Sequence, residues 1–216
     1  RLVLADDDRV SLSNLNRQVL FREDQVGEPK VHAAAAALRA FHPALAVDAH
    51  KRRVAGAGDV RALARGCQAV VATADHPPYL VNRWINEACC SLGIPWICAG
   101  QFPPLLRVGP LYVPGETACL ECQERDGRRR YPLYDELAEW RQAHPTLAAT
   151  TGAGSSHIGS IAAGELVHLL TGLVPPASAG RALTVDMTSL ESSWEAVERD
   201  PDCPCCSTIR SSLSTD

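Results

Sequence analysis

The chain lacks an apolar run of membrane-spanning length, and it lacks an extended basic stripe. A membrane-spanning helix needs about 20 consecutive apolar residues, and the longest apolar runs here are far shorter. The formal net charge is -4, with 21 Lys and Arg against 25 Asp and Glu. This balance predicts neither nucleic-acid binding nor a disordered acidic tail. No charged segment followed by an apolar segment opens the chain, so we expect no signal peptide.

The chain also lacks the G-x-S-x-G turn that exposes the nucleophile of many hydrolases. Gly154-Ser-Ser-His157 places a serine beside a histidine, but adjacent side chains rarely face each other productively. The sequence therefore argues against hydrolysis.

With 216 residues the chain is long enough to bury one substantial core. We expect a single domain over residues 1–216, with a polar tail at 207–216.

Two cysteine pairs have the spacing of metal-binding turns, Cys119-Leu-Glu-Cys122 and Cys203-Pro-Cys-Cys206. Each turn presents two thiolates, and two such turns complete a four-sulfur zinc site with no open position. We predict a structural zinc site at Cys119, Cys122, Cys203 and Cys206. Two disulfides or unpaired thiols are the alternatives, and Cys205 is an alternative ligand to Cys206. The spacing and the odd count of nine cysteines fit a reduced cytoplasm better than secretion.

Alternating apolar strands and amphipathic helices indicate an α/β fold. The pattern favours a Rossmann-like, doubly wound, mostly parallel sheet with an antiparallel C-terminal part. Residues 124–151 are charged, aromatic and irregular, so we expect a mobile crossover region there, with a helix at 134–143. The predicted strands are 2–4, 45–49, 69–73, 94–98, 107–113, 182–187 and 193–197, and the other predicted helices are 30–41, 59–65, 79–92 and 159–170.

Three carboxylates follow predicted parallel strands at their carboxyl ends. Asp6 and Asp8 come after the first strand, and Asp75 comes after the strand at 69–73. Ligands of doubly wound sheets bind at this edge. We therefore expect these side chains to lie where a ligand binds.

A polar run after the first strand resembles the ThiF/MoeB/HesA family, the bacterial relatives of ubiquitin-activating enzymes. It consists of Asp6-x-Asp8-x-Val-Ser-x-Ser-Asn14-Leu-Asn-Arg17-Gln18, followed by Val26-Gly-x-Pro-Lys30-Val31. Ala74-Asp75, Glu165 in a late helix and the positions of the two cysteine pairs resemble later family motifs, so the resemblance covers nearly the whole chain. It implies an adenylyltransferase that moves AMP from ATP to a C-terminal carboxylate and releases pyrophosphate. The carboxylate would belong to a ubiquitin-like or sulfur-carrier protein, or to a peptide.

The resemblance also implies roles for individual residues. Asp6 would accept hydrogen bonds from ribose hydroxyls, and Arg17 and Lys30 would hold the phosphates. Asp75 would bind Mg²⁺, which prefers carboxylate and phosphate oxygens. The implied catalytic set is Arg17, Lys30 and Asp75, and the implied ATP-binding set is Asp6, Asp8, Asn14, Arg17, Gln18, Lys30 and Asp75. Asn14 and Gln18 either donate to the phosphates or brace the loop, and Asp8 is either an outer-sphere or a structural residue. A homodimer in the cytoplasm is the implied state.

The sequence departs from the family pattern in three places. The family's glycine-rich phosphate loop and catalytic arginine would precede Leu2, so we expect the chain to be a fragment; a loop supplied by another chain and a loss of nucleotide binding are the alternatives. The crossover stretch 145–151 has no cysteine, which predicts adenylylation without obligatory thioester transfer. His76-Pro-Pro follows Asp75 in place of the family's asparagine. The main alternative is a non-catalytic module that binds a leader peptide; the C-x-x-C turns and the 14–18 run argue against a dinucleotide-dependent oxidoreductase.

Overall fold

A computed structural model of the chain describes residues 1–144 and 150–209. Within these residues it forms seven strands and six α-helices, which confirms the α/β class. None of the helices in these ranges is both long and apolar enough to cross a bilayer. The strands are β1 (Leu2–Ala5), β2 (Val47–His50), β3 (Val70–Ala72), β4 (Trp96–Phe102), β5 (Leu105–Tyr112), β6 (Arg181–Asp186) and β7 (Ser192–Ala196). The helices are α1 (Lys30–Phe41), α2 (Ala57–Ala64), α3 (Leu80–Leu92), α4 (Leu120–Arg130), α5 (Tyr134–Ala143) and α6 (Gly152–Thr171).

The first of two compact units contains residues 1–55 and 150–156. Its strands β1 and β2 pair in parallel, with Leu2 opposite Val47, and α1 lies between them in the chain. Two parallel neighbours need such a crossover connection, because a tight turn cannot join them. Pro29 precedes the first residue of α1, and the alanine-rich helix buries Val31 and Ala35. The Arg39 guanidinium donates to the carbonyl oxygen of Val47 and ties the end of α1 to β2.

The second unit contains residues 56–149 and 157–216. Its sheet has the order β3-β4-β5-β6-β7, in which β3 and β4 pair in parallel and the later neighbours pair antiparallel. Alternate residues of β5 and residues at helical spacing on α6 share the core of this unit. The core residues include Ile97, Leu106, Val108, Leu111, Ile158 and Ala162. Burial of these apolar faces stabilises the unit by about 25 cal/mol for each Å² removed from water.

The structure differs from the sequence-based predictions in three stretches. Two strand pairings are parallel and three are antiparallel in the described chain, so the antiparallel part is larger than predicted. Residues 124–130 continue α4 instead of forming irregular structure, and i,i+4 ion pairs such as Arg130–Asp126 support this helix. Helix α6 begins at Gly152, one and a half to two turns before the predicted start.

Two predictions remain as they were made. Helix α5 has the predicted bounds. Residues 145–149 of the crossover stretch lie outside the described residues, and so does most of the predicted tail at 207–216. The mobility of 124–151 and the single domain over 1–216 stay predictions.

Candidate functional site

The polar loop, which we define as residues 6–30 of the first unit, closes on itself through backbone hydrogen bonds. The Val10 N–H donates to the Glu28 oxygen at 2.8 Å, and the Lys30 N–H donates to the Asp8 oxygen at 3.0 Å. Gly27, with φ of +95°, makes the turn between these segments in the left-handed region that favours glycine. The short antiparallel contact therefore brings Lys30, at the start of α1, back to the end of β1.

The Lys30 ammonium forms an ion pair with Asp8, with 2.8 Å between Nζ and Oδ2. The lysine side chain is only 12% exposed, whereas Asp8 is 66% exposed. The apolar stem of Lys30 is thus covered, and its ammonium charge is held in a fixed place. An ammonium group has three donors, so the pair with Asp8 leaves donor capacity for an anionic ligand.

The half-buried Asp6 lies directly after β1. Its Oδ1 accepts the Asp8 N–H at 2.8 Å, which orients the carboxylate and leaves lone pairs for ligand hydroxyls. The carboxylates of Asp6, Asp7 and Asp8 reach within 4.8 Å of one another. Like charges this close favour a nearby cation, and Lys30 supplies one.

Residues 11–18 of the polar loop form a hydrogen-bonded turn around Asn14. Asn14 is buried; its Oδ1 accepts the Ser11 N–H at 3.0 Å, and its carbonyl oxygen accepts the N–H of Gln18 at 2.9 Å. Asn14 therefore braces the loop. Arg17 is half-buried and uses Nη1 for the Ser13 oxygen and for Asn16 Oδ1, so among the described residues Nε and Nη2 remain for a ligand. The Gln18 Oε1 atom is buried with no hydrogen-bond partner within the described structure.

Asp75 belongs to the second unit. It follows β3 at the carboxyl end of the strand and is exposed, as is His76. Within the first unit, the structure places Asp6, Asp8 and Lys30 close together, and their roles stay predictions.

The cysteine cluster of the second unit consists of Cys119, Cys122, Cys203 and Cys206, all buried. Its Sγ–Sγ distances include 3.6 Å between Cys119 and Cys203 and 3.4 Å between Cys122 and Cys206. Sulfurs that share one tetrahedral zinc ion at about 2.3 Å stand about 3.8 Å apart. Cys119 caps the N-terminus of α4, whose dipole favours thiolates, and the Asp200 N–H donates to Cys122 Sγ at 3.4 Å. The four-sulfur donor set therefore fits a metal ion, as predicted.

Arginines hold the C-terminal cysteine turn in place. The Arg199 guanidinium donates to the carbonyl oxygens of Gly115 and Cys206, both at 2.7 Å. The buried Asp200 carboxylate accepts from Arg125 at 2.8 Å and from Arg129 at 3.1 Å. The Arg125 guanidinium, together with the Asp202 N–H, holds the pKa of Asp200 below its usual range.

The arginines at 128–130 of α4 form ion pairs with carboxylates of the same unit. Arg128 pairs with Glu124 and Asp135, and Arg130 pairs with Asp126. These internal ion pairs argue against a free basic patch for an acidic partner.

Sequence reasoning missed Cys90 and Asn86, which lie on α3 beside the cysteine cluster. The Sγ atoms of Cys90, Cys119 and Cys205 lie within 4.8 Å of one another. Asn86 is buried and contacts Cys205. A cysteine on an apolar helix face is typical of core packing, and Cys90 carries no spacing signal that would link it to a distant turn.

The family comparison agrees with this geometry. The model of the ThiF family matches residues 1–205. The chain belongs to the ThiF family. The resemblance identified from the sequence is thereby confirmed, and relatives in this family are named as adenylyltransferases and activating enzymes.

Two ThiF-family relatives match over 95% of the chain. Sulfur carrier protein ThiS adenylyltransferase of Escherichia coli K12 is 29% identical over 205 residues, which cover 75% of that protein. SAMP-activating enzyme E1 of Haloferax volcanii is 32% identical over 213 residues, which cover 70% of that protein. Among solved structures, E. coli MccB with ATP superposes with a TM-score of 0.77 at 26% identity, over 94% of this chain. The chain spans 58% of the length of that solved protein.

Proposed function

We propose that this chain catalyses the ATP-dependent adenylylation of a C-terminal carboxylate. The substrate is a small ubiquitin-like or sulfur-carrier protein, or a peptide. The names of the E. coli and Haloferax relatives and the MccB structure with ATP support the reaction class. Within the chain, the observation that carries the proposal is the Lys30 ammonium fixed beside Asp8 and Asp6 at the end of β1.

The proposed reaction joins two anions, because a carboxylate attacks a phosphate. Such a reaction needs fixed positive charge where negative charge builds up. Lys30 supplies a point charge with a covered stem, and Arg17 supplies the remaining N–H groups of its planar fork. Both side chains are therefore proposed to bind phosphate oxygens.

Other polar groups of the polar loop are proposed to position the nucleotide. Asp6 is oriented by the Asp8 N–H and is proposed to accept ribose hydroxyls. The buried Gln18 Oε1 needs a donor, and a bound ligand would supply one. Asn14 is proposed to act through the loop shape, since its side chain already has a backbone partner.

Two metal ions accompany the proposal. Asp75, an exposed carboxylate after β3, is proposed to bind the Mg²⁺ that travels with ATP. ATP supplies the AMP group that activates the carboxylate. Zn²⁺ is proposed for the cysteine cluster as a structural ion, since four buried sulfurs leave no open position. We also propose a homodimer, which the family membership supports. We propose the reducing cytoplasm as its location, which the free cysteines support.

The experiment that tests this function is pyrophosphate exchange into ATP. The full-length protein is assayed with candidate carrier proteins and peptides, alongside Asp75→Ala and Glu195→Ala. We expect carrier-dependent exchange that falls about 100-fold or more in Asp75→Ala, because groups that balance charge at a reacting phosphate contribute on that scale. Glu195, an exposed residue paired with Arg107, serves as the matched carboxylate control and should retain exchange.

The opposite result has a specific meaning. If the metal-loaded protein supports no exchange with any carrier but binds a peptide in calorimetry, the adenylylation proposal is wrong. The chain would then be a leader-peptide-binding module without catalysis.

A further inference from the structure

A second group of three cysteines adjoins the cysteine cluster. Cys90 on α3 and Cys205 in the C-terminal turn place their sulfurs within 4.8 Å of each other and of Cys119. Cys90 is 8% exposed and Cys119 is 4% exposed. Cys119 belongs to both groups, so six cysteine sulfurs form one continuous cluster within the second unit.

Asn86 orients the sulfur of Cys205 as an acceptor. The Leu120 N–H donates to Asn86 Oδ1 at 3.0 Å, and a backbone N–H can only donate. The amide oxygen therefore faces Leu120, and the amide NH₂ group faces Cys205 Sγ at 3.2 Å. Asn86 is 4% exposed, so this orientation is fixed in the interior. Donors of this kind are typical outer-sphere partners of metal-bound ligands.

An open cleft reaches two of the three cysteines of this group. Cys90 and Cys205 line a cleft of about 620 Å³ together with Asn86, Arg83 and Glu121. Ions can therefore reach these sulfurs from solvent. Three protein ligands beside a cleft leave one coordination position for an external ligand, unlike the closed four-cysteine set.

We propose that Cys90, Cys119 and Cys205 form a second site for a soft, thiophilic cation, with Cys119 bridging the two sites. Three sulfurs without an oxygen ligand select soft ions such as Cu(I) or Zn(II) over Mg²⁺ or Ca²⁺. The net charge of the cluster also stays the same. Four thiolates with one divalent ion carry two excess negative charges, and six thiolates with two divalent ions carry the same two. The second ion thus adds two thiolates without adding net charge to the interior.

Metal stoichiometry tests this proposal independently of adenylylation. The reduced, full-length protein is loaded anaerobically with Zn(II) or Cd(II), and bound metal per chain is measured by mass spectrometry. We expect two ions in the wild type and one in Cys90→Ser and in Cys205→Ser. Cys67→Ser, which removes a half-buried thiol outside the cluster, should keep two. In the ¹¹³Cd spectrum, the shared Cys119 sulfur should produce coupling between two resonances.

Two results would overturn the proposal. One is a single bound ion in the wild type under the same conditions. The other is loss of all metal in Cys205→Ser with retention in Cys206→Ser, since Cys205 would then be the fourth ligand of a single site. Circular dichroism checks that each variant folds. If the buried Cys90→Ser variant does not fold, the metal count of Cys205→Ser alone decides.

Discussion

The polar loop and the cysteine cluster collect ionisable groups in opposite ways. The four sulfurs of the cluster are at most 4% exposed, whereas Asp8 in the polar loop is 66% exposed. Buried thiolates are tolerated only with a bound cation, because an unpaired buried charge is costly. Exposed carboxylates keep their water and can exchange it for a ligand. The cluster is therefore suited to holding structure, and the loop to binding and releasing a substrate.

The two regions are also held differently. The cysteine turns are fixed by flanking side chains that connect one turn to the other, such as Arg199, which donates to Gly115, and the Asp200–Arg125 pair. The polar loop is fixed mainly by its own backbone hydrogen bonds and by the Lys30–Asp8 pair. Substitutions in the cluster should thus lower stability, whereas substitutions of the loop's charges should lower activity.

The largest effect is expected for Cys122→Ser. Cys122 is fully buried, and its sulfur lies 3.4 Å from Cys206 Sγ. Apparent zinc-binding free energies at structural sites reach about 10–16 kcal/mol and contribute to folding. Even a loss of about 4 kcal/mol lowers the Tm by roughly 10 °C for a chain of this size. We expect loss of bound zinc and a Tm decrease of at least that amount, measured by mass spectrometry and calorimetry.

Cys67→Ser is the control for this prediction. Its thiol lies outside the cluster and donates to the Leu63 oxygen, so the Tm should change by less than about 4 °C, the equivalent of about 1 kcal/mol. Equal Tm values for Cys122→Ser and the wild type would show that the cluster carries no structural ion.

Lys30→Ala should give the opposite outcome. Removing one charge that stabilises a reacting phosphate typically lowers the rate by about 10²–10³. The Tm should fall less than in Cys122→Ser, because a pair whose carboxylate is exposed contributes only about 0–1 kcal/mol and the covered stem adds only the loss of its own packing. Pyrophosphate exchange and calorimetry on the same preparation separate the two effects.

Asp8→Asn completes this test. It breaks the same ion pair but leaves the ammonium group in place. We expect a smaller decrease in exchange than in Lys30→Ala. If both variants lose activity equally, Lys30 acts by holding the loop and not by contacting phosphate.

Strong local periodicity explains which elements were predictable. Helix α1 and helix α5 have the predicted bounds, since each combines a clear start with helix-forming residues. The first turns of α6 were missed because glycine and serine have low helix propensity. Gly152 is needed there for close packing, since a Cβ atom would lie 3.0 Å from the Asn16 carbonyl oxygen. Tertiary contacts of this kind cannot be inferred from propensity.

The same distinction holds for the sites. The four-cysteine set was predictable because each C-x-x-C turn is local in sequence. The approach of Cys90 to Cys205 depends on how α3 packs against the C-terminal turn, and no local pattern encodes it. For Asn14, the sequence left donor and brace open, and the hydrogen bond from Ser11 favours the brace.

The smallest effect concerns Cys98. This thiol lies in the same unit as the cysteine cluster but belongs to none of the groups of described residues that could hold a metal ion. Burial raises the pKa of Cys98 from its ordinary value of 9.0 to about 11, and nearby Arg107 opposes the shift. Above pH 9 the unfolded chain releases this proton while the folded chain retains it. The contribution of Cys98 to stability is therefore fully present below pH 9 and decreases as the pH rises toward 11.

Chemical unfolding of the wild type and Cys98→Ala between pH 8 and 11 measures this contribution. Groups that do not interact with Cys98 titrate equally in both proteins, so the difference between their pH slopes measures Cys98 together with its interaction with Tyr112. We expect the wild type to lose up to about 2–3 kcal/mol more than the variant over this range, because one pKa unit corresponds to about 1.4 kcal/mol. Parallel slopes would contradict a neutral thiol at the half-buried Cys98. The expected divergence would show that burial keeps the Cys98 thiol protonated, and the more deeply buried sulfurs of the cysteine cluster are for the same reason proposed to need an ion in order to exist as thiolates.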